Sequence, residues 1–194
     1  ATDGAGAGAA VVFAVILGTG TGGGLVVDGR LRHGANGIAG EWGHNPLPWP
    51  TEAEHPGPPC WCGKRGCIET WLSGPALARE ASAALGRPLD GPGVAALAVA
   101  GDVAAGTVLD AYVERFAKAS ATVIDLLDPD VVVLGGGVAH LPNLYEHVPE
   151  RWAAWVFADA VATRLVPARH GDSSGVRGAA WLGRAGGLTR SAAG

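Results

Sequence analysis

All three cysteines of this chain lie within one stretch of eight residues, Cys60–Cys67, with the sequence CWCGKRGC. Three thiols cannot all pair in disulfides, and such close spacing is typical of a metal site in a reducing compartment. A tetrahedral zinc site needs a fourth ligand. His44, sixteen residues before Cys60, is the nearest suitable side chain, and His55 lies inside the same segment. The cluster therefore predicts a cytoplasmic protein in which zinc closes a loop, with three buried unliganded thiols as the alternative.

The overall composition favours one globular unit and argues against two classes of partner. Of 194 residues, 48% are hydrophobic and 16% are charged, which leaves enough apolar material for a sizeable core. The net charge is −4 and the 14 lysines and arginines are scattered, whereas a nucleic-acid surface needs a basic cluster. The apolar run Val11–Leu17 is far shorter than the roughly 20 residues of a membrane span. We therefore expect neither a nucleic acid nor a membrane as a partner.

A glycine-rich turn follows the first predicted strand. Val11–Leu17 is a β-branched apolar run typical of a strand buried on both faces, and the next seven residues are GTGTGGG. Its formal G-x-G-x-x-G is not a dinucleotide fingerprint, because a second strand follows and turns back at Asp28-Gly29. Bare glycine backbone can approach a phosphate closely, although a ligand-free hairpin turn is an equal alternative. The nucleotide-binding candidates in this turn are Gly18, Thr19, Gly20, Thr21 and Gly22.

A second glycine turn, formed by Gly135, Gly136 and Gly137, comes directly after the predicted buried strand Val131–Leu134. Ligands of α/β sheets bind beyond the carboxyl ends of the strands, so the two turns can border one cleft. A plain strand-to-helix connection is the alternative, and it is favoured when this motif is considered alone. We expect the three glycines to complete the nucleotide site.

The remaining pattern predicts a loop and then helices that alternate with strands. Residues 33–67 are rich in glycine, proline and histidine and have no helical period. Apolar residues from Leu109 to Leu127 recur with helical spacing, and Asp128-Pro129 ends that helix. Further expected elements are a helix from Asn143 to Phe157, a strand from Val161 to Val166, a helix from Ser174 to Leu182 capped by Asp172, and a flexible tail over 186–194. The fold class is therefore an α/β layered lobe.

Two glutamates flank the cysteine segment. Glu41 lies three residues before His44, and Glu69 lies two residues after Cys67. Carboxylates accept hydrogen bonds from hydroxyl groups, so a polyol such as a sugar is the natural ligand of a surface on which a metal gathers them. The alternative is that both glutamates are merely solvated.

Together these motifs resemble the ROK family (repressors, open reading frames and sugar kinases). Glu41–His44 looks like the family's E-x-G-H element, and Cys60–Glu69 matches its C-x-C-G-x-x-G-C-x-E signature residue for residue. Gly18–Gly24 looks like its phosphate-binding turn. The segments GANGIAGEWGHNPLPW and HGDSSGVRGAAWL are particularly similar to the fructokinase/mannokinase branch. The resemblance extends over residues 5–183.

The resemblance implies that residues 1–185, with the zinc loop 41–69, form the C-terminal lobe of a bilobal, actin-like (ribonuclease H-like) ATPase fold. It implies a hexose kinase that uses ATP with Mg²⁺, more narrowly a fructokinase acting on the 6-hydroxyl, with mannose or glucose as further substrates. It also implies a homodimer for the full-length protein. The zinc ligands that it implies are His44, Cys60, Cys62 and Cys67. The sugar-binding residues that it implies are Glu41, His44 and Glu69, with one ring nitrogen of the histidine facing the metal and the other facing the sugar.

Two elements of the family have no match in this chain. The first phosphate motif, D-x-G-x-T, and the Asn-Asp-Ala element with the general-base aspartate belong to an upstream segment, and Asp3 lacks the preceding asparagine. We therefore expect the N-terminal lobe and the catalytic base to lie upstream of Ala1, and these 194 residues alone to be inactive as a kinase. A sugar-sensing regulator of the same family and a zinc-stabilised interaction module are the alternative functions. The complete set of glycines in the phosphate turn favours the kinase.

Overall fold

The described part of the chain builds one five-stranded mixed sheet. The computed structural model describes residues 1–141, 144–171 and 174–187. The strands are β1 (Val11–Leu17), β2 (Thr21–Val27), β3 (Arg30–Arg32), β4 (Val131–Gly135) and β5 (Arg164–Pro167). Their order is β3-β2-β1-β4-β5, in which β3, β2 and β1 are antiparallel neighbours while β1, β4 and β5 run parallel. The mixed sheet confirms the α/β class expected from the sequence.

The connection between β1 and β2 is tighter than the sequence suggests. Strand β2 starts at Thr21, so only Gly18–Gly20 lie between the two strands, and the rest of GTGTGGG is itself strand. The expected turn at Asp28-Gly29 is confirmed, with φ values of 52° and 71° that are typical of a two-residue hairpin turn. A Cβ on Gly23 in β2 would lie 3.1 Å from the carbonyl oxygen of Gly40. The loop that follows β3 therefore packs directly on β2.

Six α-helices accompany the sheet in the described residues. They are α1 (Glu69–Leu72), α2 (Gly74–Leu85), α3 (Gly91–Val99), α4 (Val103–Leu127), α5 (Leu144–Trp152) and α6 (Ser174–Gly187). Helix α6 starts at Ser174 as expected, but it continues past Leu182 to Gly187 and so includes the first two residues of the expected tail 186–194. Its expected cap, Asp172, and the tail residues 188–194 lie outside the described residues.

Helices α1, α2 and α3 are absent from the sequence-based prediction, although α2 and α3 begin with recognisable caps. Ser73 accepts a hydrogen bond from the N–H of Ala76 at 3.3 Å, and Asp90 accepts one from the N–H of Gly93 at 2.8 Å. In both cases Gly-Pro follows the cap, and proline is common in the first turn of a helix. The dipeptides therefore mark two helix starts that hydrophobic periodicity alone misses.

The expected end of helix α5 and the expected start of β5 are also wrong, whereas the end of α4 is confirmed. Helix α4 ends where Asp128 adopts a φ of 42°. Helix α5 ends at Trp152 and not at Phe157, since the N–H groups of Ala154 and Trp155 donate to carbonyls only three residues back, and the N–H of Phe157 donates to the side chain of Asp125 at 3.0 Å. Its expected first residue, Asn143, lies outside the described residues. Strand β5 starts three residues later than expected, at Arg164.

The core lies on one face of the sheet, against α4 and α5. In β1, Phe13, Val15 and Leu17 are buried in a core shared with these helices, whereas Ala14 and Ile16 are exposed. The expectation that β1 is buried on both faces therefore holds only at its start, where Val12 is 2% exposed. The physical reason is that successive strand residues point to opposite faces: the packed helices cover the face of the odd-numbered residues along the strand, whereas the opposite face is covered only at Val12.

Helices α3 and α4 join at a sharp bend. No single helix in the described ranges combines the length and the apolar character of a membrane span. These two helices pass that test only when taken together, and they are bent by 119° at their junction.

A buried ion network fastens the loop 33–67 to α4. Glu54 lies in the second of two short 3-10 helices within the loop, and Arg115 Nε donates to its Oε1 at 2.6 Å. Arg115 also pairs with Glu80, and its guanidinium lies 4.5 Å from the ring centroid of Trp71. Removing one partner of a buried pair is strongly destabilising, because the other charge is left without compensation. The network therefore fixes the position of the loop relative to the core.

This network makes the stability of the fold dependent on pH. Burial raises the pKa of Glu54, but hydrogen bonds from Arg115 and from the N–H of Thr51 outweigh it, so the pKa lies below the ordinary value of 4.5. A carboxyl group with a lowered pKa in the folded state stabilises the protein above its unfolded pKa and loses that effect as the pH falls through its folded pKa.

We therefore expect the free energy of unfolding to decrease as the pH falls below the ordinary pKa of 4.5. Urea denaturation of the wild type and of Glu54→Gln at a series of pH values checks this, because the variant lacks the titrating group and its decline should be shallower. Glu52→Gln, on the exposed side of the same 3-10 helix, is the matched control. Equal slopes for all three proteins would contradict the assignment.

Candidate metal centre and adjoining cleft

Four side chains converge on a point where one metal ion fits. The ligand atoms of His44, Cys60, Cys62 and Cys67 all lie within 4.8 Å of one another. Cys60 Sγ is 3.6 Å from His44 Nδ1, and Cys62 Sγ is 3.6 Å from Cys67 Sγ. Around a tetrahedral zinc ion with Zn–S of about 2.3 Å and Zn–N of about 2.0 Å, neighbouring ligand atoms lie about 3.5–3.8 Å apart. The Cys3His set therefore fits zinc, and the exposed His55 is not part of the group.

Tight turns bring the four ligands together. The N–H of Cys60 donates to the carbonyl of Lys64 at 2.8 Å, and Gly63 donates back to the carbonyl of Cys60 at 3.0 Å. Gly63 has a φ of 87°, a left-handed conformation that glycine adopts without strain. Cys67 forms an isolated β-bridge with Pro46, which brings the second half of the loop beside His44. Local hydrogen bonding thus explains the convergence of residues that are far apart in sequence.

The thiols of the cluster differ in acidity. A hydrogen bond from the backbone of Lys64 contributes most to the lowered pKa of Cys62, whereas burial raises the pKa of Cys67 to about 12. Without a cation, Cys67 is therefore a neutral thiol at physiological pH. A coordinated zinc ion deprotonates a ligating thiol outright, so metal binding to this cluster releases protons.

Glu69 links the metal loop, the segment 41–69 that carries His44 and the three cysteines, to the first glycine turn. Its Oε2 accepts a hydrogen bond from the N–H of Thr21 at 2.9 Å, and its Oε1 accepts one from Trp61 Nε1 at 2.8 Å. A Cβ on Gly20 would lie 2.6 Å from Oε2, so the carboxylate rests against bare glycine backbone. The sequence predicts a sugar role for Glu69 and a nucleotide role for Thr21. The structure places the two in direct contact.

The E-x-G-H segment packs on the same turn. Trp42–His44 is a short 3-10 helix, and Trp42 Nε1 donates to the carbonyl of Gly22 at 3.0 Å. A Cβ on Gly43 would overlap the carbonyl oxygen of Thr21, so only glycine permits this approach. His44 points its Nδ1 at the cysteines, and Glu41 is exposed at the start of the helix.

A cavity of about 620 Å³ adjoins the first glycine turn. Gly18 and Thr19 of the first turn and Gly137 of the second line it, so the two turns border one cleft. Of the other nucleotide-binding candidates, Gly20, Thr21 and Gly22 lie toward Glu69 and Trp42, while Gly135 and Gly136 line a separate, smaller cavity.

The starts of α2 and α3 also line this cavity, which the sequence reasoning missed. Gly74 and Pro75 of α2 and Gly91 and Pro92 of α3 contribute to the wall, and the N–H of Gly74 donates to the carbonyl of Gly18 at 2.7 Å. The sequence signal was the repeated pattern of a capping residue followed by Gly-Pro. Most of the remaining wall is apolar, from Ala78, Ala95, Val138 and Leu141.

Comparison with known proteins identifies the family of this chain. The model of the ROK family matches residues 1–185. The chain belongs to the ROK family. Its mixed sheet and helices therefore have the actin-like fold of ROK sugar kinases, as the sequence resemblance implies.

Three similar proteins illustrate the relationship. A protein of Yersinia pseudotuberculosis named N-acetyl-D-glucosamine kinase is 38% identical over 175 residues, which are 88% of this chain and 58% of the relative. The ROK hexokinase of Thermus thermophilus is 35% identical, with a TM-score of 0.79 over 91% of this chain and 57% of that chain. The ROK glucokinase of Streptomyces griseus in complex with glucose and AMPPNP is 28% identical, with a TM-score of 0.78 over 92% of this chain and 62% of that chain.

These comparisons bear on the extent of the chain relative to its relatives and on the expected sugar substrate. The chain spans about 58% of the length of the curated relatives that it matches. The names of these relatives, N-acetyl-D-glucosamine kinase and glucokinase, do not support the narrower fructokinase/mannokinase assignment. The comparisons therefore establish the family and do not identify fructose as the preferred sugar.

Proposed function

We propose that the complete protein is an ATP-dependent sugar kinase that transfers a phosphoryl group to a hydroxyl of a hexose or an N-acetylhexosamine. One observation carries the proposal: the turn Gly18–Gly20 lines the cavity of about 620 Å³ and also rests against the carboxylate of Glu69. Thr19 lines the cavity, and Thr21 donates its N–H to Glu69. A phosphate donor bound in the cavity and a hydroxyl acceptor bound at Glu69 would meet at the turn, as phosphoryl transfer requires.

The cavity suits the base and phosphates of ATP. Its apolar wall can enclose a planar base, since ligand pockets combine apolar walls with a few polar groups. The bare backbone of Gly18 and Gly137 lets phosphate oxygens approach closely. Mg²⁺ would enter with ATP and neutralise charge on the transferred group.

The metal loop suits the sugar. Zinc held by Cys60, Cys62, Cys67 and His44 Nδ1 would fix the imidazole so that its other nitrogen faces a sugar hydroxyl. Glu69 accepts one hydrogen bond on each oxygen, and each oxygen retains a lone pair for a hydroxyl. Glu41 would complete the hydrogen-bonding groups. The names of the relatives favour N-acetylglucosamine or glucose over fructose and mannose.

The proposal requires a general base, which the family resemblance assigns to the aspartate of an Asn-Asp-Ala element that has no match in these 194 residues. We place it on an aspartate in a lobe upstream of Ala1, and we expect the 194 residues alone to be inactive. A cytoplasmic location and a homodimer are further parts of the proposal that the family resemblance suggests.

A coupled assay of the complete protein with ATP and four sugars (N-acetylglucosamine, glucose, fructose and mannose) tests the function. We expect turnover, with the first two preferred. Glu69→Gln should lower kcat/KM by about a hundredfold, because it removes the charge that accepts hydroxyl and N–H hydrogen bonds. Glu52→Gln, in the same loop and exposed, is the control and should be unchanged. Sugar binding without turnover would replace the kinase by the sugar-sensing regulator.

A further inference from the structure

Trp61 is a large aromatic side chain whose surface remains mostly in solvent. It lies between the first two cysteines and is 81% exposed. Its neighbours Cys60 and Cys62 are both in the metal cluster, so the backbone that carries it is held in place on either side. An indole that is fixed in position and left in solvent is an unusual arrangement, since aromatic side chains contribute most when their area is covered.

Trp61 contacts two of the candidate sugar-binding residues, Glu69 and His44. Its Nε1 donates to Glu69 Oε1 at 2.8 Å. Its ring meets the His44 ring edge to face, with the centroids 4.8 Å apart and an interplanar angle of 86°. A side chain in contact with both groups must border any ligand that the two of them hold.

We propose that Trp61 forms a wall of the sugar site, with the face of its indole packed against the apolar C–H face of a pyranose ring. The inference rests on the proposed function and names a specificity-determining residue within it. A pyranose has hydroxyls at its rim and C–H groups on its faces, so it needs hydrogen-bonding side chains at its edge and an apolar plane beneath it. Glu69 and His44 supply the first, and Trp61 supplies the second.

The indole N–H has a separate, positioning role. By donating to Oε1, it fixes the orientation of the Glu69 carboxylate whose Oε2 is held by Thr21. Phenylalanine at position 61 would keep an aromatic face but lose this hydrogen bond, and alanine would lose both. The two variants therefore separate the contribution of the ring from that of the N–H.

Steady-state kinetics of the complete, zinc-loaded protein tests the proposal with Trp61→Ala, Trp61→Phe and the control Phe157→Ala, which removes an aromatic side chain that is 98% exposed on another surface. We expect Trp61→Ala to raise the KM for the sugar about tenfold, the size of effect that a lost contact of about 1.4 kcal/mol gives. The KM for ATP and the zinc content should stay within about twofold of the wild type. Trp61→Phe should raise the sugar KM by no more than about threefold.

An unchanged sugar KM in Trp61→Ala overturns the proposal. A sugar KM that rises as much in Trp61→Phe as in Trp61→Ala also overturns it, because the effect would then come from the lost N–H hydrogen bond and not from the ring. Parallel changes in kcat and in both KM values would instead assign Trp61 to a contact between protein surfaces. The wild-type assay separates this inference from the one that it rests on. If the wild type phosphorylates no sugar, the proposed function fails. If the wild type is active and the Trp61 variants have the same kinetic constants as the wild type, this inference alone fails.

Discussion

Replacing Cys67 with serine is expected to release the metal and to destabilise the whole loop 41–69. Cys67 is the most buried of the three thiols, at 1% exposure, and its backbone bridges to Pro46. A serine hydroxyl is a poor zinc ligand, and structural zinc contributes about 10–16 kcal/mol of apparent binding free energy in small domains. Even a third of that range corresponds to a fall in Tm of about 10 °C for a chain of this size.

Elemental analysis and calorimetry of the purified protein check this prediction, with one zinc per chain expected for the wild type. The matched pair His44→Asn and His55→Asn tests the fourth ligand, because both histidines lie near the cysteines in sequence but only His44 belongs to the cluster. We expect zinc loss for His44→Asn and full occupancy for His55→Asn. A wild-type protein free of zinc, or a Cys67→Ser protein with unchanged Tm, would refute the metal site.

Substituting Gly43 by alanine is expected to have the second largest effect. The added methyl group would overlap the carbonyl oxygen of Thr21, which belongs to the backbone of β2 and cannot move aside as a flexible side chain would. Overpacking of this kind costs about 3 kcal/mol. Because His44 follows directly, its displacement should also weaken zinc binding and raise the KM for the sugar.

Gly24→Ala is the matched control for this substitution. Gly24 also belongs to the region where the loop meets β2, but a Cβ there would have no atom within 4 Å and its φ is not positive. We expect its free energy of unfolding to lie within about 1 kcal/mol of the wild type. Urea denaturation and metal content measured on both variants decide the matter. Similar losses in the two would show that the close approach at Gly43 is unimportant.

Several features were predictable because their signals are local. The cysteine spacing and the proximity of a histidine indicated a metal cluster, and the fold brings these four side chains together. The strand β1, the turn at Asp28-Gly29 and the end of α4 at Asp128 all depend on residues within a few positions of one another. Each of them follows from backbone preferences and side-chain size, which neighbours in sequence settle.

Other features depend on partners that are distant in the chain. Glu69 meets the N–H of Thr21 from 48 residues away, and no spacing rule links the two. The exposure of Ile16 depends on which face of the sheet α4 and α5 cover. The cavity combines two glycine turns with the starts of α2 and α3, so its shape exists only after the chain has folded.

The amino-acid pattern and the family resemblance were thus sufficient for the α/β class, the family and the grouping of His44 with the three cysteines, since the motifs that carry them depend on residue type and short spacing. The arrangement of the cleft was decided by packing, which brings Glu69, Thr21 and Trp61 within hydrogen-bonding distance. Hydrogen bonds and steric contacts act over a few ångströms in space, and separation along the chain does not limit them once the core has formed.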